Sequence, residues 1–206
     1  MPPRHTAGYG DRMTRKAVAV RREEIVLAAL EQIRARGIAG VRAADVAKAL
    51  DVSTALIFYH FGTLETLVIE AFRQAAERDL ANLRAELARG GPADARLRSV
   101  LALYGPAQPA NGWKLWIEAG AAAMRDSQLR AVLQRLDLRW RDAVVALIAE
   151  GVGAGVFRCP DPHGAAWRLT ALLDGLAVQV VAREGTVTTG DCARWVEQAM
   201  AYELGC

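Results

Sequence analysis

Residues 52–61 read V-S-T-A-L-I-F-Y-H-F, and the fold turns on how this stretch is understood. Just before it lies a short apolar segment, Ala43 to Leu50, followed by a three-residue break, Asp51-Val52-Ser53. Ser53 suits the N-cap of a helix from about Thr54 to Phe61, because its hydroxyl can accept from an otherwise unpaired backbone N–H. In the first segment Val46, Ala47 and Leu50 share an inward face, and Ala47 is small enough for close helix approach. In the second, Ile57 and Phe61 form the apolar anchor. Two short helices joined by so tight a break fit a helix-turn-helix. In that arrangement Thr54 and Ala55, at the start of the second helix, are placed to reach base edges.

Working outward, Arg21 to Arg36 predicts a helix, with Ile25, Ala29, Leu30 and Ile33 on one face and Gly37 as its stop. Residues 1–19, rich in Gly, Pro and Arg, read as a flexible basic arm. After Gly62 a fourth helix runs from Thr63 to about Arg89, where Gly90-Gly91-Pro92 is the strongest punctuation in the chain. Five more helices follow: Ala93 to Tyr104, Trp113 to Met124, Asp126 to about Gly151, Pro162 to about Arg183, and Asp191 to Leu204. The expected fold is therefore all-α, with about nine helices. A three-helix helix-turn-helix domain over residues 20–66 precedes a helical bundle over residues 67–206 for ligand binding and dimerisation.

Composition narrows the function classes. Of 206 residues 52% are hydrophobic, which excludes a disordered chain. The net charge of +3 is uneven. Residues 1–62 carry ten Lys/Arg against six Asp/Glu, a net of +4, and the remainder sixteen against seventeen. A basic excess on one module is the footprint expected of a nucleic-acid binder. Three cysteines, Cys159, Cys192 and Cys206, form no C-x-x-C pair and fit a reducing cytosol. No apolar run of membrane-spanning length and no signal-peptide core stand out, so a cytoplasmic protein is expected. His5, His60 and His163 have no metal-ligand spacing. The run Gly151-Val152-Gly153-Ala154-Gly155 follows a helix instead of a strand and no Lys-Ser/Thr follows it. It reads as a helix stop and link, not a phosphate cradle. No nucleophile elbow is present. Neither enzyme, cofactor nor metal is expected.

Asp45-Val46-Ala47, the run Val52 to Phe61, and then Glu65 and Leu67 carry a resemblance to the TetR family of transcriptional regulators over about Arg22 to Phe72. The resemblance implies a ligand-responsive regulator, in most members a repressor, whose recognition helix enters the major groove of an operator. It implies DNA contacts from Ser53, Thr54, Tyr59 and His60, to which position adds Ala55, Arg42 and Lys48. The chain departs from the family's usual pattern in three places. Phe58 stands where Tyr is common, and Leu64 and Ala44 where basic residues are common, while Arg42 can replace a missing cation. A small-molecule binder with a weakened DNA-reading head is the second reading.

The C-terminal half holds most of the aromatic residues. Tyr104, Trp113, Trp116, Ile117, Met124 and Trp140 are candidates to line an effector pocket, with Glu118 or Asp174 as polar anchors. Tryptophans with a carboxylate would suit a cationic ligand. The segment W-K-L-W-I-E-A-G-A-A-A-M-R-D-S-Q-L resembles the choline-responsive, BetI-like subgroup, although Ser127 stands where Pro is common. The last two helices carry apolar stripes, and the family resemblance makes Trp167, Leu172, Leu176, Val180, Trp195 and Met200 candidates for a homodimer interface. A two-fold dimer matches a palindromic operator.

Overall fold

The computed structural model describes residues 7–106, 111–183 and 185–205, and among them every regular element is helical. The chain divides into two compact units, one ending at Ala75 and one beginning at Ala76.

The first unit holds α1 (Ala7–Arg36), a 3-10 turn (Ile38–Gly40), α2 (Ala43–Ala49), α3 (Thr54–Phe61) and the first half of α4 (Leu64–Leu87). Its core is made by Ile25, Ala29, Leu30 and Ile33 of α1, Val46 and Ala47 of α2, Ile57 and Phe61 of α3, and Leu67 and Phe72 of α4. Burying each large apolar chain contributes about 1.5–3 kcal/mol. The α2–α3 turn is tight because Asp51 adopts a left-handed conformation (φ 54°), which Asp tolerates better than most residues. The Val52 N–H then returns to the Ala47 carbonyl at 3.0 Å. Ser53 caps α3 by accepting from Leu56 N at 3.3 Å. Gly62, at φ 73°, ends α3 with its N–H on the Phe58 carbonyl at 2.8 Å. Two ion pairs tie the helices together: Arg36 to Asp45 at 2.7 Å and Arg22 to Glu70 at 3.2 Å. The Arg22 guanidinium also lies 4.8 Å from the centre of the Phe61 ring.

The second unit is built around α7 (Ser127–Gly153), which packs on α5 (Ala93–Tyr104), α6 (Asn111–Ala123) and α8 (Pro162–Ala182), while α9 (Thr189–Leu204) packs on α8. Side-chain caps set the starts. Asp126 accepts from Gln128 N and Leu129 N at 2.8 and 3.0 Å, and Asp161 accepts from Gly164 N at 2.9 Å. Thr188 and Asp191 form a reciprocal capping box at the start of α9. By length and composition alone α8 is apolar enough to cross a membrane, contrary to expectation, but its Ala165, Leu169, Leu173, Leu176 and Ala177 are buried inside this bundle.

At three places the structure differs from what the sequence suggested. The flexible arm over residues 1–19 gives way to helix from Ala7 onward. No proline follows Pro3 before Pro92, residues 12–20 are mostly good helix formers, and a helix nucleated downstream extends through Gly8 and Gly10 at a cost of about 1 kcal/mol each. Residues 1–6 of that arm lie outside the described residues. The two compact units divide after Ala75, within α4, where the sequence suggested a division after Thr66. Gly151 is not a link but a residue within α7. A Cβ there would lie 2.1 Å from the Phe157 ring, so its missing side chain is what lets Phe157 fold back on the helix.

Candidate functional site

The first candidate site is the outer face of α3. Ile57 and Phe61 are buried, which turns the other face of this two-turn helix outward. Ser53, Thr54 and Ala55 are exposed, Phe58 is 44% exposed and Tyr59 78% exposed. His60 is half-buried and meets Tyr59 edge-on, with ring centres 5.2 Å apart. Arg42, immediately before α2, and Lys48, in its last turn, are exposed. The seven residues singled out from the sequence thus include six exposed side chains and one half-buried histidine, on α2, α3 and their caps. The Ser53 hydroxyl already accepts one bond as a cap, which leaves its proton and a second lone pair for an outward partner.

The second candidate site is a cavity of about 450 Å³ in the second unit. Tyr104 of α5, Trp113 and Trp116 of α6, and Trp140 of α7 line it with aromatic surface. Asp79 of α4, Asp137 of α7 and Asp174 of α8 add three carboxylates, and among the described residues no Lys, Arg or His lines it. The rings hold one another in place. Tyr104 makes edge contacts with Trp113 and Trp140, with centres 5.6 and 5.2 Å apart, and the Trp113 indole N–H donates to the Tyr104 carbonyl at 3.0 Å. The Tyr104 hydroxyl donates to Asp174 Oδ1 at 2.7 Å, and the Trp116 indole N–H donates to Asp79 Oδ2 at 3.1 Å.

The electrostatics are those of a site short of positive charge. Asp137 and Asp174 stand at the open side, exposed by surface area yet with enough protein around them to be partly desolvated. That desolvation is the main reason both carboxyl pKa values lie above the usual range. The charge of Asp174 pushes Asp137 further up, while the Tyr104 hydrogen bond and Arg141 oppose the rise at Asp174. Burial, followed by the Asp174 charge, raises the Tyr104 phenol well above its ordinary value. Arg141 does not enter the cavity lining. Its guanidinium stacks 3.6 Å from the centre of the Trp167 ring.

Of the pocket residues expected from sequence, Tyr104, Trp113, Trp116, Trp140 and Asp174 line this cavity together. Ile117, Glu118 and Met124 do not. Trp113, Trp116 and Gly120 follow one helical face, from which Glu118 is rotated away, and Met124 lies just past the end of α6 with 71% of its surface exposed. Asp79, Asn82, Leu133, Leu136 and Asp137 were missed. Asp137 had a signal, since it lies three residues before Trp140 on α7, whereas Asp79 had none.

On the expected interface helices, Trp167 is 57% exposed and Trp195 37%, and Val178 and Tyr202 are exposed beside them. Leu172 and Val180 are half-buried. Leu176 and Met200 are buried within their own chain, because they lie on the faces of α8 and α9 that pack into the unit.

Comparison with known proteins adds to this geometry. Residues 25–71 match the family described as bacterial regulatory proteins, tetR family, and residues 92–205 match the BetI-type transcriptional repressor, C-terminal domain. The HTH-type transcriptional regulator BetI of Paraburkholderia xenovorans is 30% identical over 161 residues, spanning 76% of this chain and 80% of its own length. The HTH-type transcriptional regulator CymR of Pseudomonas putida is 30% identical over 157 residues, covering 76% of this chain and 77% of its own. Among solved structures, one from Saccharomonospora viridis, described as a transcriptional regulator in complex with choline, superposes with a TM-score of 0.84. It is 26% identical, and the match covers 90% of this chain and 98% of that one.

Proposed function

Because this chain belongs to the TetR family of transcriptional regulators, with the BetI type of C-terminal domain, we propose that it is a repressor that binds a palindromic operator as a homodimer and is released by an organic cation. Regulators of this family bind DNA operators and small-molecule effectors, commonly as dimers. The observation that carries the choice of effector is the cavity lining: four aromatic side chains and three carboxylates, with no cationic residue among them. Ring faces attract a desolvated quaternary ammonium by about 2 kcal/mol, and the carboxylates neutralise its charge. The choline bound to the Saccharomonospora viridis protein supports the same chemistry.

In this reading α3 enters the major groove, with Ser53, Thr54 and Ala55 toward the bases and Tyr59, His60, Arg42 and Lys48 toward the backbone. The exposed apolar side chains Trp167, Val178, Trp195 and Tyr202 support a partner face on α8 and α9. The effector acts only if it binds the operator-free state more tightly than the operator-bound one, since equal affinity shifts nothing.

Calorimetric titration with choline and with its neutral carbon isostere, 3,3-dimethylbutanol, tests the effector class. Choline is expected to bind at least roughly tenfold more tightly, and to release the operator in a mobility-shift assay. Equal affinity for the two compounds would overturn the cationic reading.

A further inference from the structure

The residues of α3 are Thr54, Ala55, Leu56, Ile57, Phe58, Tyr59, His60 and Phe61. The helix contains no Arg or Lys to grip guanine O6 and N7, no Asn or Gln to grip adenine N6 and N7, and no carboxylate to accept from cytosine N4. Those are the side chains that read bases by paired hydrogen bonds in the major groove. Beside the Thr54 and Tyr59 hydroxyls, its exposed face offers apolar groups. Thr54, Ala55 and Phe58 stand on one side of the helix at i, i+1 and i+4, and Phe58 leaves 44% of its surface in solvent. Ile57 and Phe61 fill the inner face of the helix, and Phe58 is not among the buried core residues of this unit.

We propose that α3 reads its half-site chiefly through thymine C5-methyl groups, with Phe58 as the principal reader and Ala55 and the Thr54 methyl beside it. This rests on the reading that α3 enters the major groove. The thymine methyl is the one apolar feature of the major-groove edge, and Ala, the Thr methyl and Phe are the side chains that meet it. Arg42 and Lys48 belong to α2 and its N-cap, the helix that crosses the backbone in this geometry, so they position the head without choosing the sequence. Tyr59, at the far end of the exposed face, presents its hydroxyl to phosphate.

The full-length protein is first used to select its operator from a random DNA pool. Thymines are expected at the positions facing α3. Each is then replaced by deoxyuridine, which deletes the methyl and leaves every hydrogen-bonding group of the base in place. Loss of one contacted methyl is expected to weaken binding roughly fourfold, the worth of one buried methyl group. Phe58→Ala is expected to bind the thymine and deoxyuridine operators alike at the position Phe58 reads. Equal binding of the wild-type protein to thymine and fully deoxyuridine-substituted operators would overturn the inference while leaving the regulator reading intact. A pool that yields no preferred sequence would overturn both. Because the substitution is made in the DNA, the result does not depend on a variant folding.

Discussion

The two units of this chain keep their chemistry in opposite places. In the first, the core is apolar throughout and every side chain proposed for DNA lies on the outside of α2, α3 and their caps. In the second, the proposed effector site is carved into the bundle itself, and its aromatic and acidic groups come from α4, α5, α6, α7 and α8. A surface reader needs a rigid scaffold behind it and free side chains in front. A ligand cavity has to trade packing for space, and holds its shape by polar ties such as Tyr104 to Asp174 and Trp116 to Asp79. The difference implies that the scaffold of one unit and the site of the other can be damaged separately.

The sharpest break of that comparison is Ile57→Ala. Ile57 is fully buried on the inner face of α3, and deleting its side chain should cost about 2–5 kcal/mol. Operator binding is expected to vanish, with a new low-temperature unfolding step by circular dichroism, while choline binding by calorimetry persists. Loss of choline binding as well would mean that the two units do not stand apart. Next in size is the joint change Trp167→Ala with Val178→Asp. Both residues are exposed, so the monomer should fold, but a charge placed on the apolar face of α8 is expected to turn a dimer into a monomer in sedimentation. Operator affinity should then fall by about 100-fold or more, since one head holds only a half-site. A variant that still sediments as a dimer would move the interface elsewhere.

The same contrast explains what could be read from the chain alone. The helix order was legible because its signals are local: the Ser53 cap, the Gly62 stop, and the Gly90-Gly91-Pro92 break. The face of α3 was legible because its two buried anchors, Ile57 and Phe61, fix its rotation. The tryptophan side of the cavity was legible for the same reason, since Trp113 and Trp116 lie one turn apart on one helix. Of its acidic members only Asp174 was. Asp137 had only its spacing from Trp140 on α7 to mark it, and Asp79 looks like an ordinary surface residue of α4 until folding brings it beside Trp116. Glu118 attracted notice by adjacency in sequence, but two residues along a helix is a rotation of about 200°, which takes it off the tryptophan face. The N-terminal extension of α1 was missed because two glycines read as flexibility, whereas helix cooperativity carries the chain through them.

The smallest effect is also the one that distinguishes the site from its scaffold. Asp137 lines the mouth of the cavity, faced by Asp174 on α8, Tyr104 on α5 and Arg141 on its own helix. Its folded pKa is raised, so its protonated form is the one the folded protein prefers. The stability this contributes is fully present below the ordinary carboxyl value and lost as pH rises through the folded one. At neutral pH the ionised group is therefore a mild burden on the empty protein and an asset to a bound cation. Asp137→Asn should accordingly move the two measurements in opposite directions at pH 7. The thermal midpoint of the empty protein should rise slightly, and choline affinity should fall about two- to fivefold, the modest worth of a solvent-screened ion pair. In the wild type, choline affinity should weaken as pH drops from neutral into the range where Asp137 and Asp174 take up protons, and Asp137→Asn should flatten that profile. If the variant lost stability and affinity together, Asp137 would be part of the frame and not of the site.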